Sequence, residues 1–74
     1  MAKDDKFKEI LGDRLRGLRL DAGLTLMQLA EKSGVSYRTV IDIEKGETRP
    51  SVEVIRLLCT ALDYSLSDFF KFKY

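Results

Sequence analysis

The sequence predicts an all-α protein, folded as one compact domain of five helices. Apolar residues recur at steps of three and four along the chain, Ser or Thr residues stand at helix N-cap positions, and no strand pattern separates these segments. The 74 residues, 45% of them hydrophobic and 34% charged, allow one core and leave no room for a second. We therefore expect residues 1–74 to form a single domain.

The first predicted helix runs from Lys6 to Ala22 and ends at Gly23. Its apolar stripe consists of Phe7, Ile10, Leu11, Leu15, Leu18 and Ala22. Gly12 and Gly17 weaken the helix slightly because glycine has a low helix propensity. Residues 1–5 precede the periodic pattern, and we expect a flexible N-terminal tail there.

Two short helices follow, each with its own start and stop signals. Thr25 and Gln28 form a capping box for the second helix, and Ser36 caps the third. Gly34 stands at the turn between the two helices, and Gly46 supplies the left-handed residue that ends the third. This order predicts a helix-turn-helix, a motif whose second helix can enter the major groove of DNA.

The C-terminal third of the chain predicts two further helices. A polar loop over residues 47–50 leads to Ser51, which caps the fourth helix. The apolar face of that helix consists of Val54, Ile55, Leu58, Ala61 and Leu62. Asp63 can adopt the left-handed end position, and Ser65 with Asp68 forms a capping box for a short fifth helix.

Composition excludes several classes of function. A single cysteine, Cys59, allows no intramolecular disulfide, and a chain without histidine has too few ligands for a usual zinc site. We therefore expect no metal and no cofactor. The carboxylates are scattered among lysines and arginines without a general acid-base or nucleophilic arrangement, so we expect no enzyme. No apolar stretch approaches the roughly 20 residues of a membrane span, and the acidic N-terminus is unlike a signal peptide, so we expect a cytoplasmic protein.

Several motifs in one order carry a family resemblance from about Ile10 to Phe70. They are LRGLRLDAGLT, LAEKSGVS, IEKG, RPS and ALDYSLSDFF. On these motifs the chain resembles the phage Cro and lambda-repressor-like helix-turn-helix family, also called the Xre family. The resemblance implies a five-helix lambda-repressor-like DNA-binding domain, in which helices 2 and 3 form the helix-turn-helix and helix 3 reads double-stranded DNA.

The resemblance assigns base contacts to the early exposed positions of helix 3, which here are Tyr37, Arg38, Ile41 and Asp42. Arg38 can form the bidentate pair with guanine O6 and N7, and Ile41 can pack on a thymine methyl group. Asp42 can accept from a cytosine amino group or hold Arg38 as its i, i+4 partner. Each position is also compatible with an ordinary solvated helix face.

Phosphate contacts are expected from the start of helix 2 and from the surroundings of helix 3. The candidates are Thr25, Gln28, Thr39, Lys45, Thr48 and Arg49. The family often has glutamine directly after the cap of helix 2, where this chain has Leu26, which removes one expected contact. The resemblance also pairs Arg19 with Glu44 as a structural salt bridge that locks helix 3 onto helix 1.

The C-terminal end, residues 64–74, is the predicted dimerisation end. Together with helix 4 it supplies more apolar surface than a small core easily buries: Leu57, Leu66, Phe69, Phe70, Phe72 and Tyr74. One recognition helix covers about half an operator, so we expect a homodimer on a short pseudo-palindrome.

We therefore predict a sequence-specific DNA-binding transcriptional regulator, either a repressor or an operon controller. The net charge of +1, from 13 basic and 12 acidic residues, is far from that of a non-specific nucleic-acid binder. The alternative is a protein-interaction module, an antitoxin-like or scaffold partner that uses the same fold with little DNA binding. The near-neutral charge and an exposed Ile41 would permit this alternative.

Overall fold

The computed structural model describes residues 3–72, with side chains described from residue 6 onward, and contains five α-helices. The helices are α1 (Lys3–Asp21), α2 (Leu26–Ser33), α3 (Tyr37–Glu44), α4 (Val52–Ala61) and α5 (Leu66–Phe69). No strand occurs among these residues. The predicted all-α class and the order of five helices are therefore confirmed.

Helix α1 begins three residues before the predicted start. Residues 3–5, which the sequence pattern assigns to a flexible tail, are helical, and their sequence contains no glycine or proline that would stop a helix. Residues 1–2, the remainder of that predicted tail, lie outside the described residues. No helix in the described part of the chain combines the length and the apolar content that a membrane crossing needs.

The predicted N-caps are present at the four later helices. The Thr25 hydroxyl accepts from the Gln28 N–H (3.0 Å), and the Gln28 side-chain oxygen accepts from the Thr25 N–H (2.8 Å), which completes the capping box. The hydroxyls of Ser36, Ser51 and Ser65 each accept from the N–H three residues later at 3.1 Å. These bonds satisfy donors left unpaired at a helix start, so each short helix begins at a defined residue.

Helices α3 and α4 both end in a left-handed residue, as predicted. Gly46 has a φ of 73°, and the Glu47 N–H donates to the carbonyl oxygen of Asp42 (2.9 Å). After α4, Asp63 adopts a φ of 60°, and the next N–H donates back to the carbonyl oxygen of Cys59 (2.8 Å). These closing bonds satisfy carbonyl groups that the end of a helix leaves unpaired.

A single hydrophobic core lies between the helices. Its most deeply buried side chains are Leu11, Leu15, Leu29, Val40, Ile43, Leu58, Cys59 and Phe69. All five helices contribute, which explains how helices of eight residues or fewer persist although they would be unstable in isolation. Burial raises the pKa of the Cys59 thiol, which disfavours the reactive thiolate.

Phe69 belongs to this core, and its predicted place in a dimer interface is wrong. Its side chain is only 2% exposed in the single chain. The helix α5 has only four residues, so its attachment depends on placing this large ring among the core side chains.

Helices α1 and α3 approach each other closely at Gly12. A Cβ atom at this position would overlap the carbonyl oxygen of Ile43 and would lie 2.9 Å from the carbonyl oxygen of Glu44. Gly17, on the same helix, is exposed, and a Cβ atom there would meet nothing within 4 Å. Gly12 therefore does more than weaken α1 slightly: it provides the space in which α3 lies against α1.

Candidate nucleic-acid interface

Helix α3 has one face toward solvent and one face in the core. The buried residues of α3 are Val40, Ile43 and Glu44. With about 100° of rotation per residue, Arg38 lies nearly opposite this buried side, and its side chain is 84% exposed. Tyr37 is also exposed, whereas Ile41 and Asp42 are half-buried. Ile41 is less exposed than the sequence suggests because it lies nearer the buried edge of the helix.

The outer face of α3 carries an ion pair between Arg38 and Asp42. The Arg38 Nε lies 3.3 Å from Oδ1 and 3.4 Å from Oδ2 of the carboxylate. The Asp42 side chain is 28% exposed, so the acid lies deeper than the guanidinium that it holds. Of the two roles that the sequence allows for Asp42, the free chain shows the i, i+4 partner.

Two of the candidate phosphate contacts lie together at the start of α2. The side-chain oxygens of Thr25 and Gln28 accept from backbone N–H groups in the capping box. Their hydroxyl and amide hydrogens are the donors that a phosphate could use there. Leu26 is half-buried against the core, which gives a packing reason for an apolar residue at the position where the family often has glutamine.

The other four candidates lie at the two ends of α3. Thr39 is half-buried in the first turn, and its hydroxyl oxygen accepts from the Ser36 hydroxyl (2.7 Å). Lys45 and Arg49 are exposed after the helix, and Thr48 is half-buried between them. At 1.5 Å per residue, Thr39 and Lys45 are separated by about 9 Å along the axis. The polar groups therefore flank the face that carries Arg38.

The predicted salt bridge between Arg19 and Glu44 is present and buried. Arg19 Nε donates to Glu44 Oε2 (2.7 Å), and Arg19 Nη2 donates to Glu44 Oε1 (3.0 Å). This pairing raises the pKa of Arg19 above its ordinary value. Arg19 Nη1 also donates to the carbonyl oxygen of Leu24 (2.9 Å), just before the cap of α2. One arginine on α1 therefore fixes both the end of α3 and the approach to α2.

Two other arginines of α1 make contacts that the sequence pattern does not predict. Arg16 Nε lies 3.7 Å from Glu44 Oε1, beside the Arg19 pair. Arg14 donates to the backbone oxygens of Phe69 (3.0 Å) and Asp68 (2.7 Å), and its guanidinium lies 5.8 Å from the centre of the Tyr64 ring. Arg14 stands three residues after Leu11 and four before Leu18, on the apolar stripe of α1. This position of a charged residue is the only signal in the sequence for its contacts with α5.

The predicted dimerisation residues differ in their exposure. Leu57, Leu66 and Phe72 are half-buried against the core, while Phe70 is 40% exposed. The rings of Phe70 and Phe72 lie 6.1 Å apart. Tyr74 lies outside the described residues.

Among the described residues there is no cluster of three or more His, Cys, Asp or Glu side chains that could hold a metal ion.

A five-helix fold with a capped helix pair and an exposed second helix defines a helix-turn-helix protein. The chain belongs to the helix-turn-helix family HTH_3, whose sequence pattern matches residues 15–69. It is 40% identical over 60 residues to the transcriptional regulator ClgR of Mycobacterium tuberculosis, covering 81% of this chain and 54% of ClgR. It is 33% identical over 58 residues to the HTH-type transcriptional regulator SinR of Bacillus subtilis, covering 77% of this chain and 52% of SinR.

Solved structures show the same architecture. The restriction-modification controller protein C.AhdI from Aeromonas hydrophila superposes with a TM-score of 0.85 at 35% identity, over 88% of this chain and 98% of that chain. The clp gene regulator ClgR from C. glutamicum gives a TM-score of 0.79 at 40% identity, over 84% of this chain and 80% of that chain. The family resemblance and the predicted fold class are therefore confirmed, although the chain spans only about half the length of the curated relatives named above.

Proposed function

We propose that this protein is a sequence-specific DNA-binding transcriptional regulator, not an enzyme, and that α3 lies in the major groove. The observation that carries this proposal is the position of Arg38 at the outermost point of a helix that is fixed from behind. Arg19 and Glu44 hold α3 against α1, so the guanidinium extends from a rigid support. An arginine in the major groove can donate two hydrogen bonds to guanine, the commonest specific contact of this kind. The relatives described above are named as transcriptional regulators.

The surrounding residues support this orientation of α3. Tyr37 can donate to a base or a phosphate, and Ile41 can pack on a thymine methyl group from the edge of the same face. The start of α2 offers the donors of Thr25 and Gln28 together with the positive end of the helix dipole. Thr39, Lys45, Thr48 and Arg49 complete the proposed phosphate contacts. These contacts would set the register of the protein on DNA, while α3 supplies the sequence preference.

We propose that the protein acts as a homodimer through its C-terminal end. Phe70 is a large exposed aromatic side chain, and it contacts Phe72 beside the core. Two copies would place two α3 helices on successive half-sites of a pseudo-palindrome. A DNA partner also implies the cytoplasmic location that the sequence predicts.

The homodimer predicts a concentration-dependent increase in mass that requires Phe70. Sedimentation equilibrium at micromolar concentration should detect the dimer, and Phe70→Ser should shift the equilibrium toward monomer by at least about tenfold, because a buried aromatic ring is a typical interface anchor. Val52→Ser serves as the control because it removes an exposed apolar side chain at a different place, on α4. A wild-type protein that remains monomeric, alone and on DNA, would contradict the proposed dimer.

Arg38→Ala should weaken binding to a selected DNA site by about five- to 100-fold, the value of a lost bidentate base contact. The site is first selected from a random duplex library at low salt, and affinities are measured by fluorescence anisotropy. Arg56→Ala is the matched control because Arg56 is also an exposed helical arginine paired with an acid, Glu53, on α4. We expect this control to change affinity less than about threefold and both variants to keep their melting temperature. Equal losses of affinity in both variants would show that Arg38 contributes only its positive charge and no base contact.

The salt dependence of binding distinguishes a DNA-binding regulator from the alternative, a protein-interaction module. Binding to DNA should weaken steeply as salt rises, because neutralised phosphates release their counterions. An apolar protein interface should respond little. Failure to enrich any DNA site at low salt would contradict the proposed function and favour the alternative.

A further inference from the structure

We propose that Asp42 determines the base preference of Arg38 without contacting a base itself. The carboxylate holds the guanidinium by its Nε and thereby directs the two terminal amino groups toward a guanine. This inference rests on the proposed function, since it assumes that α3 lies in the major groove, and it identifies a guanine as the base that Arg38 reads.

The geometry of the pair orients the guanidinium. Both carboxylate oxygens of Asp42 lie close to the same nitrogen of Arg38, at 3.3 and 3.4 Å from Nε. A guanidinium is planar and carries five N–H donors in a fixed fork. When Nε faces the acid, the edge formed by Nη1 and Nη2 is the bidentate edge that points away from it. That edge lies at the outer end of a side chain that is 84% exposed.

Asp42 is the better anchored partner of the pair. Its side chain is short and only 28% exposed, and its carbonyl oxygen accepts from the Glu47 N–H (2.9 Å) in the turn that closes α3. Arg38 has a long flexible stem in the first turn of the helix. The acid therefore limits where the guanidinium can go, and not the reverse.

The chemistry of base edges explains why holding the guanidinium in one orientation adds specificity. Guanine offers two acceptors in the major groove, O6 and N7, whereas adenine pairs one acceptor with a donor. A free arginine can also turn to a phosphate, which every sequence provides. A fixed carboxylate beside the guanidinium disfavours that movement because Arg38 would have to leave its ion pair with Asp42. Asp42 should therefore cost some affinity and add discrimination.

The test measures the affinity of the 74-residue chain for four duplexes. The duplexes differ only at the base pair where Arg38→Ala abolishes the preference for guanine. We expect Asp42→Ala to keep or increase affinity for the guanine duplex while reducing the preference for guanine at least about threefold. Asp42→Asn keeps an oxygen that can accept from Nε, so it should retain part of the preference. Glu53→Ala removes the acid of an exposed arginine pair on α4, away from α3, and should change neither the affinity nor the guanine preference. Melting temperatures verify that all variants are folded.

Two results would overturn the inference while leaving the proposed function intact. Undiminished guanine preference in Asp42→Ala would show that Arg38 needs no positioning. Lost preference at a different base pair, with guanine preference unchanged, would show that Asp42 accepts directly from a cytosine amino group. A wild-type protein that selects no DNA site would instead refute the proposed function, and the inference with it.

Discussion

Gly12→Ala should lower the melting temperature by roughly 4 to 24 °C, while Gly17→Ala should raise it by a few degrees. The two changes add the same methyl group to the same helix. At Gly12 the new Cβ would meet the backbone oxygens of Ile43 and Glu44, which cannot move unless α3 shifts. Overpacking of this kind costs about 1 to 3 kcal/mol, and in a domain of this size each kcal/mol corresponds to about 4 to 8 °C.

Gly17 serves as the internal control for this prediction. Alanine stabilises an exposed helix position by about 0.5 to 1 kcal/mol relative to glycine, and nothing lies within 4 Å of its added methyl group. Circular dichroism during thermal and urea unfolding measures both variants. Gly12→Ala should also weaken DNA binding at temperatures where it is folded, because α3 moves relative to α1. A stabilising effect of Gly12→Ala would show that the two helices are less closely packed than described.

Arg19→Met should cost about 3 kcal/mol of unfolding free energy and weaken DNA binding at the same time. The substitution removes two hydrogen bonds to Glu44 and one to the carbonyl of Leu24, and it leaves a buried carboxylate without its main partner. Breaking one side of a buried ion pair typically costs about 3 to 5 kcal/mol. Arg16 stays close to Glu44 and should compensate in part. Urea unfolding and anisotropy titrations at low temperature measure the two losses.

The double variant Arg19→Met with Glu44→Leu tests whether the unpaired carboxylate of Glu44 causes the loss of stability. Replacing both charges by apolar side chains removes the uncompensated carboxylate, so most of the lost stability should return. Arg38→Ala provides the contrast, since it should weaken DNA binding with unchanged stability. If Arg19→Met and Arg38→Ala lost equal stability, the division into a structural and a DNA-contacting arginine would be wrong.

Local features of the fold were predictable because they depend on residues only a few positions apart. The caps at Thr25, Ser36, Ser51 and Ser65 use bonds across three residues, and the sequence therefore contains both partners of each bond. The helical period of apolar residues likewise identified the helices. The start of α1 differs from the prediction, because residues 3–5 contain no glycine or proline and α1 extends to Lys3.

The candidate site was predictable in part. The face with Tyr37, Arg38, Ile41 and Asp42 follows from helix geometry together with the family resemblance, and so does the pairing of Arg19 with Glu44. The choice between two roles for Asp42 required the position of the Arg38 side chain. The assignment of the residues on and around α3 to bases and phosphates stays a prediction, which DNA-binding measurements must test.

The sequence by itself determined which segments are helical, where the later helices begin and which residues share the outer face of α3. These properties follow from backbone bonds and from the helical period, both of which are local. Only the tertiary structure decided that Gly12 admits α3, that Arg14 donates to the carbonyl of Phe69 55 residues away, and that Phe69 enters the core while Phe70 remains exposed. Such contacts join distant segments, and a helix of four residues is too short for its pattern to show which side is buried.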